Sequence, residues 1–112
     1  MNLRINSRHM EVTPAIRNHL EGRLERIRKH FDHVIDASAF LMVDKAKEKE
    51  LRQTAELTLH LKGKELFAEA HHESLYQAMD AVIDKLDRQL VKHKERIQHH
   101  HHDKNKVQSL SQ

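Results

Sequence analysis

Basic side chains recur every three or four residues in two segments of this chain, which is the spacing of one helical turn. The first set is Arg23, Arg26 and Lys29, and the second set is Lys85, Arg88, Lys92 and Arg96. Successive helical turns lie about 5.4 Å apart, close to the separation of neighbouring phosphates on a nucleic-acid strand. Cations at this spacing can neutralise phosphates with little reading of base sequence. The pattern therefore predicts recognition of a folded RNA by its shape.

The two signs of charge segregate on the second segment when it is projected as a helix. With Leu75 at zero and 100° per residue, the four cations fall between about 220° and 300°. Asp80, Asp84 and Asp87 fall between about 120° and 180°. A helix that needs only solubility more often intersperses the signs, although one flank can also be basic by chance. The first segment also has its cations on one flank, so two helices on one sheet face are expected to display these cations together.

The charge is also uneven along the chain, whose formal net charge is +3. Residues 1–84 are nearly balanced, whereas residues 85–112 carry a clear excess of Lys and Arg. A basic end suits a polyanionic partner. It is equally compatible with a solvated tail.

Motifs for catalysis are missing from the sequence. There is no cysteine, which removes disulfides and thiolate chemistry, and there is no nucleophile motif or Gly-rich phosphate loop. Asp80 and Asp84 lie one turn apart but are expected to face solvent, where both stay ionised. We therefore expect no enzyme and no cofactor.

The twelve histidines raise the question of a metal site. The run His99–His102 could bind a transition metal weakly, but it falls in an expected flexible tail and also fits a low-complexity sequence. Adjacent side chains on a strand point to opposite faces, so His71 and His72 form a poor chelate. His93 falls on an apolar stripe and is interpreted as a packing residue. We predict no metal site.

Two common RNA-binding modules are disfavoured. A KH domain needs a Gly-x-x-Gly loop, but the only glycines are Gly22 and Gly63. An RRM needs aromatic side chains on its central strands, and aromatics make up only 4% of this chain. The contact surface is therefore expected on the helices.

The elements that must position these residues follow from hydrophobic periodicity. Alternation predicts strands at 2–7, 33–43, 54–61 and 66–70, and helical spacing predicts helices at 14–30 and 73–98. Thr13 and Pro14 supply the start of the first helix, and Gly63 marks a tight turn. This order predicts an α+β fold, a β-α-β-β-β-α two-layer sandwich with two helices on one face of a four-stranded sheet. Residues 1–98 should form one domain, and residues 99–112 a disordered His-rich tail.

Two stretches resemble the short-form ribosome hibernation promoting factor and ribosome-associated inhibitor family, also known as ribosomal subunit interface or sigma-54 modulation proteins. The N-terminal stretch runs from Ile5 to Ser7 and from Met10 to Arg17. The C-terminal stretch runs from Glu73 to Tyr76, includes Ala78, and continues from Ile83 to Lys94. The resemblance covers residues 1–98.

The resemblance implies a fold similar to a double-stranded-RNA-binding domain. It also implies binding to the 16S rRNA of the small ribosomal subunit, in the channel used by messenger and transfer RNA, which blocks translation. The matching RNA-binding positions are Arg23, Arg26, Lys29, Lys85, Arg88, Lys92 and Lys94. Helical projection selects the same positions except Lys94, and it adds Arg96.

Two departures from the family pattern refine the expected role. A chain of 112 residues leaves no room for the C-terminal dimerisation domain of the long family members. The tail is not acidic, which favours the branch that acts with ribosome modulation factor to form inactive ribosome pairs in stationary phase or stress. An inhibitor that blocks translation without pairing, or a protein that modulates a sigma factor, remains an alternative.

The sequence also gives expectations for location. No apolar run approaches the roughly 20 residues of a membrane span, and the N-terminus lacks the features of a signal peptide. We therefore expect a cytoplasmic protein with no membrane partner, monomeric when off the ribosome.

Overall fold

The computed structural model describes the backbone of residues 2–106 and the side chains of residues 2–96. Its strands are β1 (Asn2–Arg8), β2 (Val34–Val43), β3 (Gln53–Leu61) and β4 (Lys64–His72). Its helices are α1 (Pro14–His30) and α2 (Leu75–Lys106), and a short 3-10 turn covers Lys49–Leu51. The predicted β-α-β-β-β-α order and α+β class are confirmed.

The four strands form one mixed sheet in the order β1-β2-β3-β4. β1 runs parallel to β2, with Leu3 opposite Ala37, whereas the other neighbours are antiparallel. Parallel neighbours need a crossover connection, and α1 provides it. β4 is left as an edge strand beside α2.

A single apolar core lies between the sheet and the two helices. Alternate residues of β2, β3 and β4 point into it, including Ala39, Leu57 and Ala68, which are opposite one another across the three strands. The core side chains of the helices recur at three- and four-residue intervals. These are Ile16, Leu20, Leu24 and Ile27 of α1, and Ala78, Met79, Val82, Ile83, Leu86 and Leu90 of α2.

Local signals in the sequence set the ends of α1 and the β3–β4 turn. Thr13 caps α1, since its Oγ1 accepts a hydrogen bond from the Ile16 N–H at 3.2 Å. The helix ends where the Phe31 N–H donates to the Ile27 carbonyl at 2.9 Å. Gly63 has a φ of 78°, a backbone conformation that favours glycine in a tight turn. All three features match the prediction.

α2 is longer than predicted. Its backbone continues to Lys106, eight residues past the expected end at Gln98, and the disorder expected for residues 99–112 stays a prediction. No Gly or Pro interrupts the segment, and extending an existing helix costs far less than nucleating one. The rest of the predicted tail, residues 107–112, lies outside the described residues. Within the described part of the chain, no helix is long and apolar enough to cross a membrane.

Candidate nucleic-acid interface

Four cations of α2 lie on the side of the helix that runs alongside strand β4. The Lys85 ammonium donates a hydrogen bond to the Glu69 carbonyl at 2.7 Å, and the Gln89 amide donates to the Phe67 carbonyl at 2.9 Å. These two bonds join α2 to the backbone of the edge strand. We call the four cations on this side the β4-side flank: Lys85, Arg88, Lys92 and Arg96.

The β4-side flank is exposed along its whole length. Within residues 2–96, whose side chains the structure describes, none of its members has a carboxylate oxygen within 4.0 Å. Because these charges are not neutralised by those neighbours, they are available to phosphates. The structure thus keeps the four residues together on one side of α2, as the sequence predicted.

The cations of α1 have a different environment, because they face the aspartates of α2. Arg23 Nε lies 3.2 Å from Asp80 Oδ1, and His19 Nε2 lies 2.8 Å from the same oxygen. The His19 ring also packs edge-on against Tyr76, with the ring centroids 4.9 Å apart. These contacts join the two helices through opposite charges.

The same pattern continues along the groove between the helices. Arg26 and His30 of α1 line this groove, of about 300 Å³, together with Asp84 and Asp87 of α2. The cations of the two helices therefore do not form one continuous row, and their joint display stays a prediction. The aspartates of α2 separate the α1 cations from the β4-side flank, and Arg23 is partly used within the fold. Lys29, at the end of α1, is exposed and has no carboxylate within 4.0 Å among the described side chains.

A second group of cations gathers where α1 ends. Lys94 Nζ lies 5.7 Å from the centre of the Phe31 ring, so Lys94 reaches toward α1 and is not part of the β4-side flank. Lys64 is close enough to His93 to affect its titration. Lys62 lies in the β3–β4 turn and Lys64 begins β4, and neither was among the predicted cations. The sequence feature that could have identified these cations is the pair of lysines on either side of Gly63.

His93 is a half-buried packing residue, as its place on the apolar stripe predicted. Burial lowers the pKa of His93 below its ordinary value of 6.5, and the charges of Lys64 and Arg96 lower that pKa further. The folded protein therefore binds a proton at His93 less readily than the unfolded chain does.

This shift predicts a loss of stability on acidification. The unfolded chain takes up a proton at His93 near pH 6.5, so the free energy of unfolding should fall as the pH drops from there through the lower pKa of the folded state. His93→Gln should remove that part of the fall. Urea denaturation of both proteins at several pH values between about 8 and 5 measures the difference. Parallel pH profiles for the two proteins would contradict the prediction.

The open face of the sheet has the opposite character to the helical side. Four carboxylates point outward from β2, β3 and β4. Two of them flank His60: the Asp36 carboxylate is hydrogen-bonded to His60 Nδ1, and the Glu65 carboxylate lies 3.0 Å from His60 Nε2. Glu69 pairs with His71 at 3.0 Å, and Glu56 lies opposite Glu69. Carboxylates repel phosphates, so this face is a poor surface for RNA.

The histidines of the described side chains do not assemble into a metal centre. Among residues 2–96 there is no group of three or more His, Cys, Asp or Glu that could hold a metal ion. His71 bonds the Thr54 hydroxyl at 2.9 Å, whereas His72 accepts from the backbone N–H of Glu73. The side chains of His99–His102 lie outside the described residues.

Comparison with known proteins adds a family to this geometry. Residues 3–98 match the model of the family described as sigma 54 modulation protein / S30EA ribosomal protein. The chain is 41% identical over 96 residues to a ribosome hibernation promoting factor of Azotobacter vinelandii. The aligned region covers 86% of this chain and 85% of that protein.

Solved structures agree with this result. The N-terminal domain of Thermus thermophilus Protein Y is 30% identical, with a TM-score of 0.71 over 80% of this chain and 96% of that one. A ribosomal subunit interface protein from Coxiella burnetii is 24% identical, with a TM-score of 0.75 over 85% of this chain and 99% of that one. At 24% identity, the structural similarity to the Coxiella burnetii protein supports the fold alone.

Proposed function

Because this chain belongs to the sigma 54 modulation protein / S30EA ribosomal protein family, we propose that it is a ribosome-binding regulator that promotes ribosome hibernation. Its relatives carry the name ribosome hibernation promoting factor. The family is not one of enzymes. The proposed partner is the small ribosomal subunit, through its 16S rRNA.

One observation carries the proposed RNA contact, namely the β4-side flank. Its four exposed cations lie on successive turns of a rigid helix, and none is neutralised by a described carboxylate. Such a row binds phosphates without selecting base sequence, and each phosphate contact adds to the salt dependence. Lys29 and Lys94 extend the proposed contact toward the end of α1, together with Arg26. Arg23 contributes less, because Asp80 already holds it.

We further propose that the bound protein occupies the channel of messenger and transfer RNA, and so stops translation in the cytoplasm during stationary phase or stress. Together with ribosome modulation factor, it would then promote inactive ribosome pairs. Off the ribosome the protein is proposed to be a monomer, since the large exposed apolar side chains among residues 2–96 are spread over four elements. They are Ile35, Leu51, Phe67, Tyr76 and Val91.

Sedimentation tests the proposed partner directly. In a stationary-phase lysate run on a sucrose gradient at low salt, the protein should sediment with small subunits and ribosomes. Raising the salt should release it, because phosphate contacts displace bound counterions. Protein that stays at the top of the gradient at low salt would contradict ribosome binding, and recovery with a sigma factor there would favour the modulator alternative.

A second gradient separates hibernation by pairing from simple inhibition. Purified ribosomes should form pairs when both this protein and ribosome modulation factor are added, and fewer pairs when either is omitted. Inhibition of translation with no gain in pairs would show the inhibitor alternative to be correct.

A further inference from the structure

A cleft with apolar walls opens where α1 ends against α2 and β3. Its walls include Phe31, Leu61 and Leu90, and its volume is about 150 Å³. An enclosed apolar cavity of about this volume holds benzene in another protein, whereas this cleft is open to solvent and is also lined by His30, His33 and His93. We call it the α1-end cleft. It has room for one six-membered aromatic ring, which is too little for a large ligand.

The position of Phe31 in this cleft is fixed by the backbone. Phe31 caps the C-terminus of α1, and its N–H donates to the Ile27 carbonyl at 2.9 Å. The Phe31 side chain is half-buried and packs against the core. The ring is therefore a preformed wall, and a ligand that contacts it does not need to order it first.

The rim of the α1-end cleft is positive. Lys94 Nζ lies over the Phe31 ring, 5.7 Å from its centre, which is within the range of a cation–π contact, and its flexible stem allows the ammonium to turn from the ring to an anion. Lys64 and Arg96 lie near His93, another residue of the wall. Asp32 is the one carboxylate among the lining residues, and its side chain is 92% exposed.

An apolar slot with a cationic rim is complementary to a flat ring joined to an anion, which is the chemistry of a nucleotide. We propose that the α1-end cleft binds one unstacked nucleobase of an RNA strand, with the base against Phe31 and the flanking phosphates on Lys94 and Lys64. This inference rests on the proposed binding to ribosomal RNA and adds a base contact to its phosphate contacts. Single aromatic contacts to unpaired bases are a common means of holding RNA strands.

The contribution of a base can be measured separately from that of the phosphates. Hexauridylate and an abasic hexamer with the same ribose-phosphate backbone carry equal charge, so only a base-binding site distinguishes them. By fluorescence anisotropy, the wild-type protein should bind hexauridylate about tenfold more tightly than the abasic strand. Phe31→Leu keeps an apolar wall but loses the aromatic ring, and it should bring this ratio close to one.

Phe67→Leu is the matched control, because it removes a phenyl ring that is 51% exposed on the open face of the sheet. The tenfold ratio should survive in this variant. Equal affinity of the wild type for both strands would overturn the inference, and so would a ratio that persists in Phe31→Leu. If neither strand binds while the protein still sediments with small subunits, the base site is wrong and the proposed function stands.

A second measurement does not depend on the folding of a variant. In the wild-type protein, the NMR methyl signals of Leu61 and Leu90 should shift on addition of hexauridylate and stay in place with the abasic strand. Shifts of the same size with both strands would contradict a base in the cleft.

Discussion

Reversing three charges of the β4-side flank should abolish binding to the small subunit while leaving the fold intact. In the triple variant Lys85→Glu, Arg88→Glu and Lys92→Glu, three phosphate contacts become repulsive. We expect the affinity to fall by at least about a hundredfold, and the slope of log affinity against log salt to fall by about three. All three side chains are exposed, so the thermal unfolding transition should remain cooperative. Co-sedimentation at several salt concentrations measures both effects.

A variant with the same charge change on another surface provides the control. Arg4 and Arg8 lie on β1 with their side chains exposed, and Lys45 is exposed in the β2–β3 connection. Their joint reversal to Glu gives the same net charge as the triple variant of the flank. If affinity depended only on overall charge, both variants would lose it equally. A folded flank variant that still co-sediments with small subunits would show that the RNA contact lies elsewhere.

Leu59→Ala should cause a large loss of stability. Leu59 is 0% exposed in the central strand β3, between Ala37 of β2 and Leu66 of β4. Removing its buried side-chain atoms leaves a cavity that the surrounding sheet cannot close, at a cost of about 3 kcal/mol in the free energy of unfolding. That is a large part of the total stability of a small domain. Urea denaturation measures the change.

Thr58→Ala is the control for this prediction, since Thr58 is the preceding residue and its side chain points to the other face of the sheet. It should cost less than about 1 kcal/mol. Similar losses at both positions would contradict the assignment of the core to the helical side of β3.

The elements of this fold could be predicted from local patterns, since each pattern has a local physical cause. Alternation in β3 and helical spacing in α2 reflect which side chains the core must bury, and both are visible in a short window of sequence. The start of α1 at Thr13 and Pro14 was predictable for the same reason, because capping involves only neighbouring residues.

The arrangement of the candidate site could be predicted only in part. Helical projection identified the β4-side flank, but it gives the faces of each helix separately and contains nothing about the rotation of one helix against the other. That rotation depends on long-range contacts, above all the packing of core side chains such as Leu24 and Leu86. For this reason the pairing of Arg23 with Asp80 and the approach of Lys64 to His93 were missed.

The mixed sheet also sets the order in which the protein can fold as it is synthesised. Leu61 and Lys64 pair across a turn of two residues, whereas β1 pairs with a strand more than thirty residues later, as in Leu3 with Ala37. Pairings that close short loops form first, so the β3–β4 hairpin should precede the docking of β1, although β1 leaves the translating ribosome earlier. α2 follows the four strands in the chain and supplies Met79, Leu86 and Leu90 to the core. A nascent chain that still lacks α2 therefore exposes the apolar side of its sheet, and it acquires the β4-side flank only when α2 has been made.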